Sequence, residues 1–164
     1  MEKYKILELA KKYKTKSGKL IGVLEDIQKE ERYLSEETMR NVAEVLGVSP
    51  SKVYEVATFY SLFNLKPVGK HIVTVCMGTA CHVKGAPRVL EMLEDLLGVK
   101  PGETTEDGKF LLTTKDGEFT VNTARCFGAC SMAPVIMVDG KIYGYVNSEK
   151  LPKILKEYGW GDKK

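Results

Sequence analysis

A chain of 164 residues with 43% apolar and 29% charged side chains has the make-up of a globular protein, able to bury roughly 70% of its unfolded surface in one core or two small ones. Its formal charge of +3 comes from lysines scattered along the chain, which argues against a nucleic-acid partner, and the longest aliphatic run, Val135-Ile-Met-Val138, is far too short to span a bilayer. The start, Met1-Glu-Lys-Tyr-Lys5, lacks the apolar core of a secretion signal, so the sequence reads as cytoplasmic, without membrane insertion, in a compartment that disfavours disulfide frameworks.

Residues 1–66 read as a helical N-terminal domain. Residues 2 to 14 set Ile6, Leu7 and Ala10 on one face of a short helix, and Leu20, Val23, Leu24 and Ile27 form a second amphipathic stripe. Ser35 is an N-cap followed by Glu36 and Glu37, acids that the helix dipole favours there, with Leu34 placed to staple onto Met39. Met39, Val42, Ala43 and Leu46 make the buried face of that helix up to a stop at Gly47. Ser49 caps the next helix, with Pro50 at its first position, and the stripe Val53, Val56, Ala57, Tyr60 and Phe63 extends it to just before Pro67. These stripes read as packing surfaces. The run Thr58-Phe-Tyr-Ser-Leu-Phe63 is aromatic on more than one face, and part of it is expected to meet the second domain or a partner.

Residues 67–164 form the second predicted domain, entered through the turn-rich Pro67-Val-Gly-Lys70. A strand over His71–Val75 leads into Cys76-Met-Gly-Thr-Ala-Cys81, and the chain continues through Gly85 into a helix carrying Val89, Leu90, Leu93, Leu96 and Leu97, closed by Gly98. After a polar turn around Gly102 to Gly108, strands at Phe110–Thr113 and Phe119–Ala124 are joined by a hairpin turn at Asp116-Gly117. Then come Cys126-Phe-Gly-Ala-Cys130, strands at Pro134–Val138 and Lys141–Tyr145, a helix from about Ser148 to Tyr158, and a tail read as loose. The class is α+β; the order strand, helix, strands, helix fits a thioredoxin-like unit and other α+β sandwiches as well.

The chemistry lies in the four cysteines, which fall as two tight pairs with none left over. Each pair follows a predicted strand, so the four sulfurs belong to two loops at one end of a sheet. Structural zinc favours tighter knuckles, and a catalytic dithiol needs Cys-x-x-Cys, whereas these gaps are four and three residues. A [2Fe–2S] cluster needs two outer ligands on each of two irons, which two cysteines per loop supply. From spacing alone, zinc, disulfides and free thiols stay open beside the cluster. With four cysteines in hand, neither His71 nor His82 is needed as a ligand. Arg125 reads equally as a charge beside the site or a surface residue. Gly78 and Gly128, inside the ligand loops, are expected to let the backbone approach closely and donate N–H groups to sulfur, while Gly85 can simply make a turn.

Cys-x4-Cys, a long gap and Cys-x3-Cys, with Gly-Thr-Ala inside the first pair and Ala133-Pro134 after the second, resemble the thioredoxin-like [2Fe–2S] ferredoxins. Leu20-Ile21 with Gln28, Val56-Ala-Thr-Phe-Tyr60, Pro67 with Gly69, Gly102-Glu-Thr-Thr105 and Asp107-Gly108 resemble landmarks of that family in the same order, over about residues 18 to 158. The resemblance implies an N-terminal helical bundle joined to a thioredoxin-like domain that holds one [2Fe–2S] cluster on Cys76, Cys81, Cys126 and Cys130. It also implies outer-sphere electron transfer within an NAD(P)H-linked oxidoreductase, this chain being a carrier without a substrate site of its own. A hydride donor and a one-electron cluster need a flavin between them. The sequence has neither Gly-x-Gly-x-x-Gly nor Gly-x-x-x-x-Gly-Lys, so the family's larger flavin-containing, NADH-binding iron–sulfur subunit is the expected partner, with a hydrogenase or other catalytic subunit beside it. The loop wording resembles the gamma subunits of NAD-linked, electron-bifurcating [FeFe]-hydrogenases more than the complex I subunit; the complex I subunit and the equivalent subunit of an NAD-linked formate dehydrogenase are the alternatives. The hairpin at Asp116-Gly117 makes the gap between cysteine pairs longer than in complex I members. Two readings of other classes are a zinc-stabilised interaction module without redox role and a thiol oxidoreductase.

Overall fold

The computed structural model describes residues 1–13, 16–99 and 111–161. The predicted turn at Gly102–Gly108 and the strand start at Phe110 therefore lie outside the described residues. The chain divides into two compact units, Met1–Pro67 and Val68–Lys164.

The first unit contains helices α1 (Lys3–Lys11), α2 (Lys16–Glu31), α3 (Glu36–Leu46) and α4 (Pro50–Phe59). Local chemistry sets their ends. The Ser35 hydroxyl accepts from the Thr38 N–H at 3.2 Å to start α3, and Gly47, at φ 64°, ends it in a left-handed turn that lets Val48 N–H reach the Ala43 carbonyl at 3.0 Å. Ser49 repeats the cap for α4, accepting from Lys52 N–H at 3.2 Å. Ile6, Val23, Leu24, Ile27, Leu34, Val42, Val53, Ala57 and Phe63 are fully buried together, the larger side chains each contributing about 1.5–3 kcal/mol of transfer free energy.

The fourth helix stops at Phe59, short of the expected boundary before Pro67, and Tyr60 is already extended. Tertiary hydrogen bonds decide this. The Gln28 side chain donates to Leu62 O and accepts from Asn64 N–H, both at 2.6 Å, while Leu34 N–H donates to Asn64 O at 2.7 Å. Residues 62–64 are thus bound to α2 and to the α2–α3 turn, which turns Phe63 into the core without a helix to carry it. Phe59 is left 79% exposed and Leu62 55% exposed.

The second unit is a five-stranded sheet in the order β2-β3-β1-β4-β5, built from β1 (His71–Cys76), β2 (Leu111–Thr113), β3 (Phe119–Ala124), β4 (Ile136–Val138) and β5 (Lys141–Tyr143). β1 and β3 run parallel, with His71 opposite Phe119 and Cys76 opposite Ala124; the other pairings are antiparallel. Helix α6 (Ala86–Leu97) packs on β1 and β3 and touches α7 (Lys150–Glu157), while a short helix α5 (Thr79–Val83) precedes it. Val73, Val75, Val121, Leu93, Ile136, Val138, Leu151 and Leu155 fill the core. Gly69 enters under tight constraint: a Cβ there would stand 2.7 Å from the Phe119 carbonyl carbon, and its N–H donates to the Thr120 hydroxyl at 2.6 Å. Of the tail read as loose, Trp160 packs against this core and its indole N–H donates to Leu96 O at 3.3 Å, which ties down the chain through Gly161.

Candidate metal centre

The parallel register of β1 and β3 ends with Cys76 opposite Ala124, so both cysteine segments leave the same end of two adjacent central strands. The crossing is held by backbone. Met77 N–H donates to Ala124 O at 2.7 Å, and Cys76 N–H to Val135 O at 3.1 Å. Gly78 lies against the second loop: a Cβ at this position would be 2.3 Å from the Arg125 carbonyl oxygen and 3.4 Å from the Cys126 Cβ. Its φ of −63° and ψ of 158° suit any residue, so contact between the loops, and not backbone freedom, requires glycine here. Gly128 is the opposite case. Its φ is +78° with nothing within 4 Å of a Cβ, so it serves a left-handed turn, and its N–H donates to Cys126 Sγ at 3.3 Å. The expected close approach therefore holds at Gly78, and the expected N–H to sulfur bond at Gly128. Gly85, at φ 101° with open space around it, makes the turn into α6.

All four thiols are free and fall into two environments. Cys76 ends β1 and Cys81 lies on α5; they are 2% and 1% exposed and belong to the domain core. The spacing predicts a loop between them, but α5 begins at Thr79 and takes up its second half, and at five residues that helix is too short for a periodic signal. Cys126 and Cys130 are exposed, with their Sγ atoms 3.7 Å apart. Cys76 bridges the environments, since its thiol interacts with both Cys81 and Cys126.

Burial, followed by the hydrogen bond with Cys76, pushes the Cys81 thiol up to about 11, opposed by a hydrogen bond from the Val135 backbone. The Gly128 N–H and then the Cys130 thiol hold Cys126 below the usual thiol range, and the same contact with Cys126 raises Cys130. Val135 is the functional residue that sequence reading missed; its position at Cys81 depends on how β4 pairs with β1. Among the described residues, no three His, Cys, Asp or Glu side chains are grouped so as to hold one metal ion.

The two histidines stand differently towards the cysteines, His71 at the far end of β1 and His82 directly after Cys81. His71 begins β1, five residues from Cys76 and roughly 16 Å away at the rise of a strand, with its Nδ1 2.6 Å from Asp139 Oδ2. His82 is exposed on α5. Arg125 contributes its carbonyl oxygen, which accepts from the Cys76 thiol at 3.9 Å, while its side chain is exposed. The donor set suits a sulfur-ligated iron cluster: four thiols on two loops that glycine lets touch, with backbone N–H groups directed at one sulfur of each pair. No helix among the described residues is long and apolar enough to cross a membrane.

Comparison with known proteins bears on this arrangement. The model of the thioredoxin-like [2Fe–2S] ferredoxin family matches residues 6–114 and 111–159. The chain is 40% identical over 143 residues to the NADP-reducing hydrogenase subunit HndA of Solidesulfovibrio fructosivorans, covering 87% of this chain and 78% of that one. It is 35% identical to an NADH-quinone oxidoreductase subunit of Rhizobium meliloti (91% and 83% covered) and 33% identical to the corresponding NADH-quinone oxidoreductase subunit of Escherichia coli K12 (84% and 78% covered). Among solved structures, an air-oxidised NAD+-reducing [NiFe]-hydrogenase shares the fold with a TM-score of 0.66 at 16% identity, over 84% of this chain and 22% of the hydrogenase chain.

Proposed function

The chain belongs to the thioredoxin-like [2Fe–2S] ferredoxin family, whose cofactor is a [2Fe–2S] cluster, and on that premise we propose that Cys76, Cys81, Cys126 and Cys130 hold the cluster in an electron-transfer subunit of an NAD(P)H-linked oxidoreductase. The observation that carries this reading is the convergence of the two cysteine segments at one end of β1 and β3, closed by Gly78 against Arg125 O. When bound, such a cluster takes up and gives back one electron at a time. The chain's own residues supply the rest. Cys76 and Cys81 fix two sulfurs within the apolar core, Gly128 and Val135 present N–H groups that favour negative charge on Cys126 and Cys81, and Gly78 keeps the loops close enough for one shared site.

Relatives named as subunits of both hydrogenases and NADH-quinone oxidoreductases support the NADH-linked setting. Within it, the wording of the two cysteine loops favours the gamma subunit of an electron-bifurcating NAD-dependent [FeFe]-hydrogenase, and the complex I subunit is the equally supported alternative. Either way the partner is a larger flavin-containing, NADH-binding subunit, and the site of work is the cytoplasm.

The test is anaerobic purification with iron, zinc and sulfide counts and a visible spectrum, repeated for Cys126→Ser. Two irons and two sulfides per chain, with a red-brown colour lost or altered in the variant, are expected for the cluster. A colourless protein with one zinc per chain would instead make it a structural module without redox role.

A further inference from the structure

The four cysteines are unequal in a way that bears on the chain before its cluster is in place. Cys76 and Cys81 are 2% and 1% exposed and belong to the same buried core as Val75, Ala86, Val89 and Val135. Cys126 and Cys130 are exposed, and the residues between them, Phe127 to Ala129, form an irregular loop turning at Gly128. Their sulfurs are 3.7 Å apart, against about 2.05 Å in a disulfide, so closing a bond asks for movement of less than 2 Å, taken up by the irregular loop at Phe127–Ala129 while Cys130 opens the one-turn 3-10 helix Cys130–Met132. Thiol–disulfide exchange depends on access to the attacking sulfur, and only this pair has it.

Resting on the ligand assignment above, we propose that in the cluster-free chain Cys126 and Cys130 form a reversible disulfide by exchange with a small-molecule disulfide, and that this closed form cannot take up iron and sulfide until it is reduced. Cys126 attacks first, because the Gly128 N–H at 3.3 Å steadies negative charge on its sulfur. Its thiolate breaks the S–S bond of the small disulfide, forms a mixed disulfide and releases one small thiolate. Cys130, as thiolate, then attacks the Cys126 sulfur, forms the Cys126–Cys130 bond and releases the second small thiolate. The two protons given up by the protein thiols end on the two small thiols, so the protein pair loses two electrons and the small disulfide gains them. The buried pair keeps its thiols throughout. Once the cluster is bound, all four sulfurs are occupied as ligands and none exchanges.

Trypsin separates the two pairs cleanly, releasing residues 71–84 with Cys76 and Cys81 and residues 126–141 with Cys126 and Cys130. The full chain, freed of iron under anaerobic reducing conditions, is exposed to glutathione disulfide, quenched with an alkylating agent and mapped by mass spectrometry. The expected result is peptide 126–141 unalkylated and two hydrogens lighter, closing at least about tenfold faster than peptide 71–84, which carries two alkyl groups. Dithiothreitol should reverse it, and Cys130→Ser should stop at a glutathione adduct on Cys126. Equal rates for both peptides, or glutathione adducts on 126–141 that never close in the unmodified chain, would overturn the proposal. Iron and sulfide are then offered to both forms: colour in the reduced form only supports the gate, and equal colour in both refutes it. Failure of the reduced chain to take up iron and sulfide sinks the ligand assignment, an outcome distinct from the thiol map.

Discussion

Gly78 is where the geometry makes its sharpest demand. Gly78→Ala adds one carbon at a backbone conformation that alanine adopts without strain, so any effect comes from space alone. That carbon would lie 2.3 Å from the Arg125 carbonyl oxygen, whereas carbon and oxygen in contact keep roughly 3.3 Å, so one loop must retreat by about 1 Å. The oxygen belongs to backbone directly after β3, and the Met77 N–H bond to Ala124 O holds the loops together one residue away, so little is free to yield. Overpacking of this kind costs about 1–3 kcal/mol. The expected variant has a urea midpoint lowered accordingly and retains substantially less iron and sulfide, with altered visible circular dichroism. Gly128→Ala is the control of opposite cause. It meets nothing within 4 Å but must adopt φ +78°, at about 1–2 kcal/mol, and Gly128→Asn should recover much of that. A Gly78→Ala protein with the parent's midpoint and full iron and sulfide would refute the argument that the loops need this contact.

Two further outcomes test other parts of the structure. Glu94 is 4% exposed on α6, and burial, followed by the charges of Asp95 and Glu91, raises its carboxyl above the usual range. A raised carboxyl leaves stability intact below the unfolded value of about 4.3 and removes it as pH climbs through the folded value, so Glu94→Gln should gain about 1–3 kcal/mol at neutral pH and nothing near pH 4; a pH-independent difference in denaturant midpoints would contradict this. Phe59 and Leu62 are 79% and 55% exposed, so the double change to Ser should alter the unfolding free energy by less than about 0.5 kcal/mol. On the proposed partnership with a flavin-containing subunit, the affinity of the variant for that subunit, followed by co-purification and titration, should fall about 30-fold, and unchanged binding would remove the patch from the interface.

Much of the fold was readable because its causes are local. Ser35 and Ser49 announce helix starts through hydroxyls that bond within three residues, and Asp116-Gly117 announces a turn whose Asp116 Oδ1 accepts from Glu118 N–H at 3.0 Å. The end of α4 was not readable. Apolar spacing runs on through Tyr60 and Phe63, but the bonds that stop the helix come from Gln28 and Leu34, more than 25 residues earlier in the chain. The same holds at the centre. Cysteine spacing marks the four residues, yet nothing in it tells that one pair is enclosed and the other open, because this depends on α5 and on the pairing of β4 with β1.

That division orders how the domain is put together. Cys76 and Cys81 belong to the same buried core as Val75 and Val135, so their side chains take part in closing the sheet against α6. Cys126 and Cys130 are exposed and lie outside the core, on a segment held by the Met77 N–H bond to Ala124 O and by the approach of Gly78 to Arg125 O. On the proposed ligand assignment, a scaffold of this kind folds with half its ligands enclosed and the other half facing solvent. A cofactor arriving from solution therefore meets the exposed pair first, which is also the pair that a competing oxidant meets first.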